Sequence, residues 1–274
     1  EPLQADLYLP QVKEGTRRPA TVMVYGITDP EADARLAKFG QMFARAGIAV
    51  LIPRFPELEQ GTFTEQTVRQ IEDSFLFLRQ QPSIDPEKVG LTSFCVGASL
   101  AIVAAENDRI GKNVAYIYAM APYFDLRTLG PAVFSSQQKV KGVWSSWSPE
   151  RYDRARGIFQ NELLQALPLA DAKVIQRVLA RQDNAAIDDL AALSPDGKVV
   201  ERILRTRSPE ELEQLFASFS KPMQERLFYL SPAGRIENLT APLFLAYGYD
   251  GYLPLSEDEA FFAANIKEFY PVQF

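Results

Sequence analysis

Short apolar runs alternate along this chain with segments whose apolar residues recur every three or four positions. The recurring spacing is typical of amphipathic helices, and it predicts helices over 35–46 and 64–81. The short runs are rich in β-branched residues and lack polar alternation, as expected of strands buried on both faces of a parallel sheet. Such strands are predicted at 20–26, 48–53, 89–94, 114–122 and 241–248, with further strands at 5–10 and 267–274.

From about residue 125 to 240 the pattern changes, and it predicts helices but no strand. Within this segment, Ser208-Pro209-Glu210-Glu211 predicts a helix start with Ser208 at the N-cap and Pro209 in the first turn. Earlier in the chain, residues 84–88 are interpreted as a turn that leads into the strand at 89–94.

Alternating strands and helices predict an α/β fold with a mostly parallel sheet and helices on both faces. Residues 1–124 and 241–274 then form the core domain, and residues 125–240 form a helical lid or cap insertion. Because the insertion follows a strand of the core, we expect it at the carboxyl edge of the sheet, where open α/β sheets place their ligands.

One stretch, residues 89–106, combines a strand, a sharp turn and a helix of small residues. A nucleophile at such a turn is exposed above the sheet, and Cys95 occupies that position. A thiol is easier to deprotonate than a hydroxyl, and a helix N-terminus favours the thiolate. The stretch therefore predicts Cys95 as a nucleophile, although an isolated cysteine is more often a small buried apolar residue.

The composition argues against several classes of function and binding site. The net charge of −6 argues against a nucleic-acid partner. The sequence contains no run of eighteen or more apolar residues, so no membrane-spanning helix is predicted. The single cysteine and the complete absence of histidine leave no metal-binding pattern, so we expect neither a metal nor another cofactor. The sequence begins at Glu1 without methionine, which predicts processing or trimming; compartment and oligomeric state stay open.

The order of these elements resembles the α/β-hydrolase fold, and most closely the dienelactone-hydrolase-like esterases and peptidases. The resemblance rests on four stretches and covers almost the whole chain. They are ATVMVYG (20–26), FARAGIAVLIPRFP (43–56), IDPEKVGLTSFCVGASLA (84–101) and APLFLAYGYDGYLPLSE (241–257).

The resemblance implies nucleophilic acyl transfer on a small-molecule ester, lactone or related acyl substrate. It assigns Cys95 as nucleophile and Asp250 as the triad acid, in a loop one residue shorter than in most relatives. It also assigns the backbone N–H groups of Val96 and Ile27 to the oxyanion hole. Here Tyr25 stands where relatives usually have histidine, before a shared glycine.

The catalytic histidine of the family lies in a loop just after the last strand, and this sequence contains no histidine. The first interpretation is that the base lies beyond Phe274. A second is true loss of the base, which would leave a catalytically inactive binding or scaffolding protein. A third is that the sequence was altered or incompletely read.

Aromatic residues near the start of the insertion are candidates for an apolar acyl pocket. Phe124, Trp144 and Trp147 are the residues assigned to it. Large aromatic side chains also serve as packing anchors, so the pocket role and the packing role are both open at this point.

Overall fold

The computed structural model of the chain describes residues 3–11, 15–27, 34–147, 149–181, 190–248 and 253–273. It divides into two compact units. The first consists of Glu1–Phe124, Tyr229–Leu253 and Glu257–Phe274, and the second of Asp125–Phe228 and Pro254–Ser256. Residues 229–240 group with the first unit, whereas the predicted insertion extends to residue 240. The role of the second unit as a lid stays a prediction.

The first unit is built on a sheet that has seven strands within the described part of the chain. Their bounds are β1 Ala5–Tyr8, β2 Arg18–Val24, β3 Ala49–Pro53, β4 Ile84–Phe94, β5 Ile117–Met120, β8 Leu243–Tyr247 and β9 Phe269–Gln273. The strand order is β1-β3-β2-β4-β5-β8-β9. Only the edge strand β1 pairs antiparallel, with β3; the other pairings are parallel. The predicted α/β class is confirmed.

Within the described part of the first 110 residues, four helices connect these strands. They are α1 Ala34–Arg45, α2 Pro56–Glu59, α3 Glu65–Arg79 and α4 Val96–Glu106. A later helix, α11 Leu255–Ala263, precedes β9. The start of α3 shows why the sequence folds this way locally: the Thr64 hydroxyl accepts a hydrogen bond from the Gln66 N–H at 3.0 Å, which satisfies one N-terminal donor.

The second unit is mainly helical. Among the residues that the structure describes, its helices are α5 Leu126–Ser135, α6 Pro149–Ala166, α7 Leu169–Arg181, α8 Pro195–Arg205, α9 Pro209–Ala217 and α10 Lys221–Tyr229. The predicted start of α9 is confirmed, since the Ser208 hydroxyl accepts from the Glu211 N–H at 3.2 Å. No helix in the described ranges is long and apolar enough to cross a bilayer.

Two local predictions are wrong. Residues 84–88 are not a turn but the first part of β4, because Ile84 pairs with Arg18 across an irregular step in the ladder. The second unit also contains a hairpin of β6 Gln137–Val140 and β7 Val143–Ser146. Its two-residue turn uses positive φ angles at Lys141 and Gly142, as tight hairpins require.

Helix α4 is buried along almost its whole length, and it ends at a buried carboxyl group. Glu106 is 6% exposed, and neither of its carboxylate oxygens has a hydrogen-bond partner among the described residues. Burial raises the pKa of Glu106 well above the ordinary value; the charge of Arg235 opposes this shift and that of Glu237 adds to it. The folded state therefore favours the neutral carboxyl.

The pH dependence of stability should reveal this group. Because the folded pKa is raised, the stabilising contribution is complete below the ordinary carboxyl pKa and is lost as pH rises through the folded value. We expect Glu106→Gln to reduce the fall in melting temperature that the wild type shows as the pH rises above the ordinary carboxyl pKa. Each kcal/mol of stability corresponds to about 2–4 °C in a chain of this size. The matched control is Glu87→Gln, since that side chain is 81% exposed. Parallel curves for wild type and Glu106→Gln would contradict the assignment.

Candidate active site

Cys95 stands at a sharp turn between β4 and α4. Its backbone has φ 54° and ψ −136°, a conformation that non-glycine residues rarely adopt, and its side chain is exposed. The Cys95 N–H donates to the Met120 carbonyl at 2.8 Å, which fixes the turn to the end of β5. The strained backbone presents the thiol above the carboxyl edge of the sheet, as in a nucleophile elbow.

The turn is possible because Gly97 lets α4 approach the end of β2. A Cβ on Gly97 would overlap the Tyr25 carbonyl oxygen and would lie 2.8 Å from the Val24 carbonyl oxygen. Both are main-chain atoms of a buried segment, since Val24 and Tyr25 are no more than 1% exposed. Only glycine fits at this position without moving the sheet.

The segment after β2 lies directly beside the nucleophile. A Cβ on Gly26 would lie 2.9 Å from Cys95 Cβ and 3.4 Å from its Sγ. Strands β2 and β4 are neighbours, and the chain passes from β2 outward to β3 before it returns to β4. Their carboxyl ends therefore border a topological switch point, which is where open α/β sheets bind ligands.

The two residues assigned to an oxyanion hole, Val96 and Ile27, directly follow Cys95 and Gly26 in the chain. Val96 opens α4, so its N–H has no acceptor within the helix. Ile27 follows Gly26, and the Gly26–Ile27 peptide starts at the glycine that contacts Cys95. The structure thus brings Cys95, Val96 and the Ile27 segment together, while the oxyanion role itself stays a prediction.

Asp250, assigned as the triad acid, lies outside the described residues. Helix α11, which comes next in the chain, carries two buried carboxylates in its first turn, Glu257 and Asp258. Glu257 accepts the Phe124 N–H at 2.7 Å, and burial raises the pKa of Asp258 to about 6. Sequence reasoning missed this contact, since an acidic first turn is ordinary for any helix.

The three aromatic residues assigned to an acyl pocket do not all belong to the same unit. Phe124, in the first unit, packs edge-on against Phe261 with ring centroids 4.8 Å apart. In the second unit, Lys139 Nζ lies 5.4 Å from the centroid of the Trp144 ring, and buried Trp147 donates its backbone N–H to the Ser136 carbonyl. These contacts fit packing, and the pocket role stays a prediction.

The serines on either side of the turn are buried and hydrogen-bonded. Ser93 Oγ donates to the Tyr118 carbonyl at 2.9 Å, and Ser99 Oγ donates to the Tyr123 carbonyl at 2.9 Å. Both residues are 0% exposed, whereas Cys95 is exposed. Of the three nucleophilic side chains at this turn, the thiol is the one that a substrate can reach.

The part of the chain that the structure describes contains no group of three or more cysteine, aspartate or glutamate residues placed to hold a metal ion.

Comparison with known proteins shows what the chain is similar to in sequence and in fold. Residues 10–129 match the model of the dienelactone hydrolase family. The chain is also 34% identical over 114 residues to the thiohydrolase aneE of Aspergillus aculeatus. That match covers 39% of this chain and 35% of the relative, so it spans only about a third of the length of the curated relative.

Solved structures share the fold over almost the whole chain. The α/β hydrolase GrgF from Penicillium sp. sh18 superposes with a TM-score of 0.55 at 15% identity, covering 99% of this chain and 85% of that protein. A 2,6-dihydroxy-pseudo-oxynicotine hydrolase superposes with a TM-score of 0.54 at 12% identity, and the match covers 99% of this chain and 57% of that protein. The chain therefore has the α/β-hydrolase fold, and residues 10–129, less than half of the chain, match the dienelactone hydrolase family model.

Proposed function

We propose that this protein is a hydrolase of small-molecule acyl compounds, namely esters, lactones or thioesters, with Cys95 as the nucleophile. The observation that carries the proposal is the exposed thiol on a strained turn at the N-terminus of α4, with the segment after β2 against it. A thiohydrolase among the relatives supports the inclusion of thioesters.

In the proposed reaction the Cys95 thiolate attacks the acyl carbon, and the carbonyl oxygen takes the electron pair of the C=O π bond. The N–H groups of Val96 and Ile27 donate to this oxyanion, and each such donor is worth about 3 kcal/mol in comparable sites. The oxyanion collapses, the leaving alcohol or thiol departs with a proton, and an acyl-cysteine remains. Water then attacks that acyl group, releasing the acid and restoring the thiol.

The proton transfers require a base. The family resemblance assigns this role to a histidine after the last strand, oriented by Asp250, and residues 1–274 contain no histidine. We propose that the base lies beyond Phe274. A protein that truly lacks the base would be acylated without efficient deacylation, or would bind acyl compounds without reaction.

A substrate panel tests the proposal on the full-length protein. We expect p-nitrophenyl esters and N-acetylcysteamine thioesters with the same acyl group to be hydrolysed, and the matching anilide to be hydrolysed at least ~100-fold more slowly, because amines are poor leaving groups without efficient general acid catalysis. Pretreatment with iodoacetamide should abolish turnover. Saturable binding of these compounds with no turnover would contradict the proposal and favour a binding protein.

A further inference from the structure

The segment that leads to Ile27 is held by a side chain that the family resemblance does not explain. Tyr25 is 1% exposed, and its phenolic oxygen accepts a hydrogen bond from the Phe55 N–H at 2.8 Å. The two rings also pack with centroids 5.5 Å apart. Phe55 follows β3 and is itself fully buried, so this hydrogen bond joins the segments after two neighbouring strands.

The main chain of Tyr25 is held on its other side. Its carbonyl oxygen lies against Gly97 in the first turn of α4, and the next residue, Gly26, contacts Cys95. Tyr25 is therefore fixed by its side chain to the β3 segment and by its backbone to the nucleophile helix. The peptide that carries the Ile27 N–H begins one residue later.

From these contacts we infer that Tyr25 is a positioning residue: its hydrogen bond to the Phe55 N–H holds the Gly26–Ile27 peptide where the Ile27 N–H can donate to the substrate oxyanion. This inference rests on the proposed function. Tyr25 touches no reacting atom in this scheme; it sets the direction of one donor. Misplacement of a preorganised group by about 1 Å costs up to ~100-fold in rate.

The test is Tyr25→Phe in the full-length protein. The ring is kept, the acceptor for the buried Phe55 N–H is lost, and the segment is free to shift. We expect kcat to fall by about 10-fold while KM changes less than about 2-fold, because the loss is confined to the transition state. Binding of an aldehyde analogue of the substrate should weaken by the same factor as kcat, since the Cys95 sulfur adds to its carbonyl carbon and the oxygen becomes a comparable oxyanion.

The rate of Cys95 alkylation by iodoacetamide distinguishes a misplaced oxyanion donor from a general disruption of the site. This reaction displaces iodide at a saturated carbon and forms no oxyanion, so its rate should be unchanged in Tyr25→Phe. The matched control is Tyr123→Phe, which also removes a buried tyrosine hydroxyl. The Tyr123 hydroxyl donates to the backbone carbonyl of Leu230 at 2.7 Å. This control should lose comparable stability but keep kcat and aldehyde affinity.

The possible outcomes separate a failure of the positioning role from a failure of the proposed function. Loss of kcat and of aldehyde affinity in Tyr25→Phe, with unchanged alkylation, supports the positioning role. Wild-type kinetics in Tyr25→Phe, or equal losses in Tyr25→Phe and Tyr123→Phe, would overturn it while leaving Cys95 as nucleophile. Full turnover in a Cys95→Ala variant would instead overturn the proposed function.

Discussion

Cys95→Ala is expected to lower kcat for acyl hydrolysis by roughly 1,000-fold or more, because removal of a covalent nucleophile leaves only binding and the oxyanion donors. The change should cost little stability, since the side chain is exposed and alanine is smaller. The melting temperature should therefore stay within about 2 °C of wild type, below the shift that 1 kcal/mol produces in a chain of this size. Steady-state kinetics and thermal unfolding of the same preparation provide the measurement.

Ser99→Ala is the control for this change. It removes a hydroxyl four residues from the thiol, but that hydroxyl is buried and donates to the Tyr123 carbonyl. We expect it to cost about 1 kcal/mol of stability, the typical value of a hydrogen bond, and to leave kcat unchanged. Hydrolysis by Cys95→Ala at the wild-type rate, or loss of turnover in Ser99→Ala with the fold intact, would contradict the assignment of the nucleophile.

Gly97→Ala is expected to have the second largest effect, and this effect combines stability with activity. The new Cβ would overlap the Tyr25 carbonyl oxygen and would lie 2.7 Å from the carbonyl carbon. Because these atoms belong to buried main chain, α4 must move away from β2, at a cost of about 3 kcal/mol. The melting temperature should fall by about 6–12 °C, and kcat should fall because the same movement separates Cys95 from the Ile27 segment.

Gly157→Ala is the matched control for the glycine change. Gly157 lies within α6, and a Cβ there would meet no atom within 4 Å. Alanine should stabilise the helix by about 0.5–1 kcal/mol, because glycine is a poor helix former. A melting temperature for Gly97→Ala that equals or exceeds that of wild type would contradict the close approach of α4 to β2.

Much of the sheet could be predicted because β2, β3 and the second half of β4 are buried and have continuous apolar sequences. The elbow was predictable for a related reason, since it joins such a strand to a helix of small residues. The extension of β4 over residues 84–88 was not predictable, because residues 85–87 are typical turn residues. They lie in an irregular step between Ile84 and Val89, which pair with β2.

Only the part of the candidate site that depends on the order of elements along the chain could be predicted from the sequence. Cys95, Val96 and Ile27 were assigned from the elbow and from the end of β2, and the structure places Gly26, the residue before Ile27, beside Cys95. The hydrogen bond between Tyr25 and Phe55 joins residues thirty positions apart, and no local pattern encodes it. The Gly97 contact with Tyr25 likewise depends on the packing of α4 against β2, which propensity and periodicity do not specify.

The central claim is that Cys95 carries the acyl group during turnover. The most direct measurement is to quench the full-length protein with acid during reaction with a p-nitrophenyl ester and to locate the acyl mass by peptide mass spectrometry. We expect the acyl group on the Cys95 peptide, appearing with the first equivalent of p-nitrophenol and absent in Cys95→Ala. Substrate consumption with no acyl mass on Cys95 at any time, or neither consumption nor acylation, would contradict it.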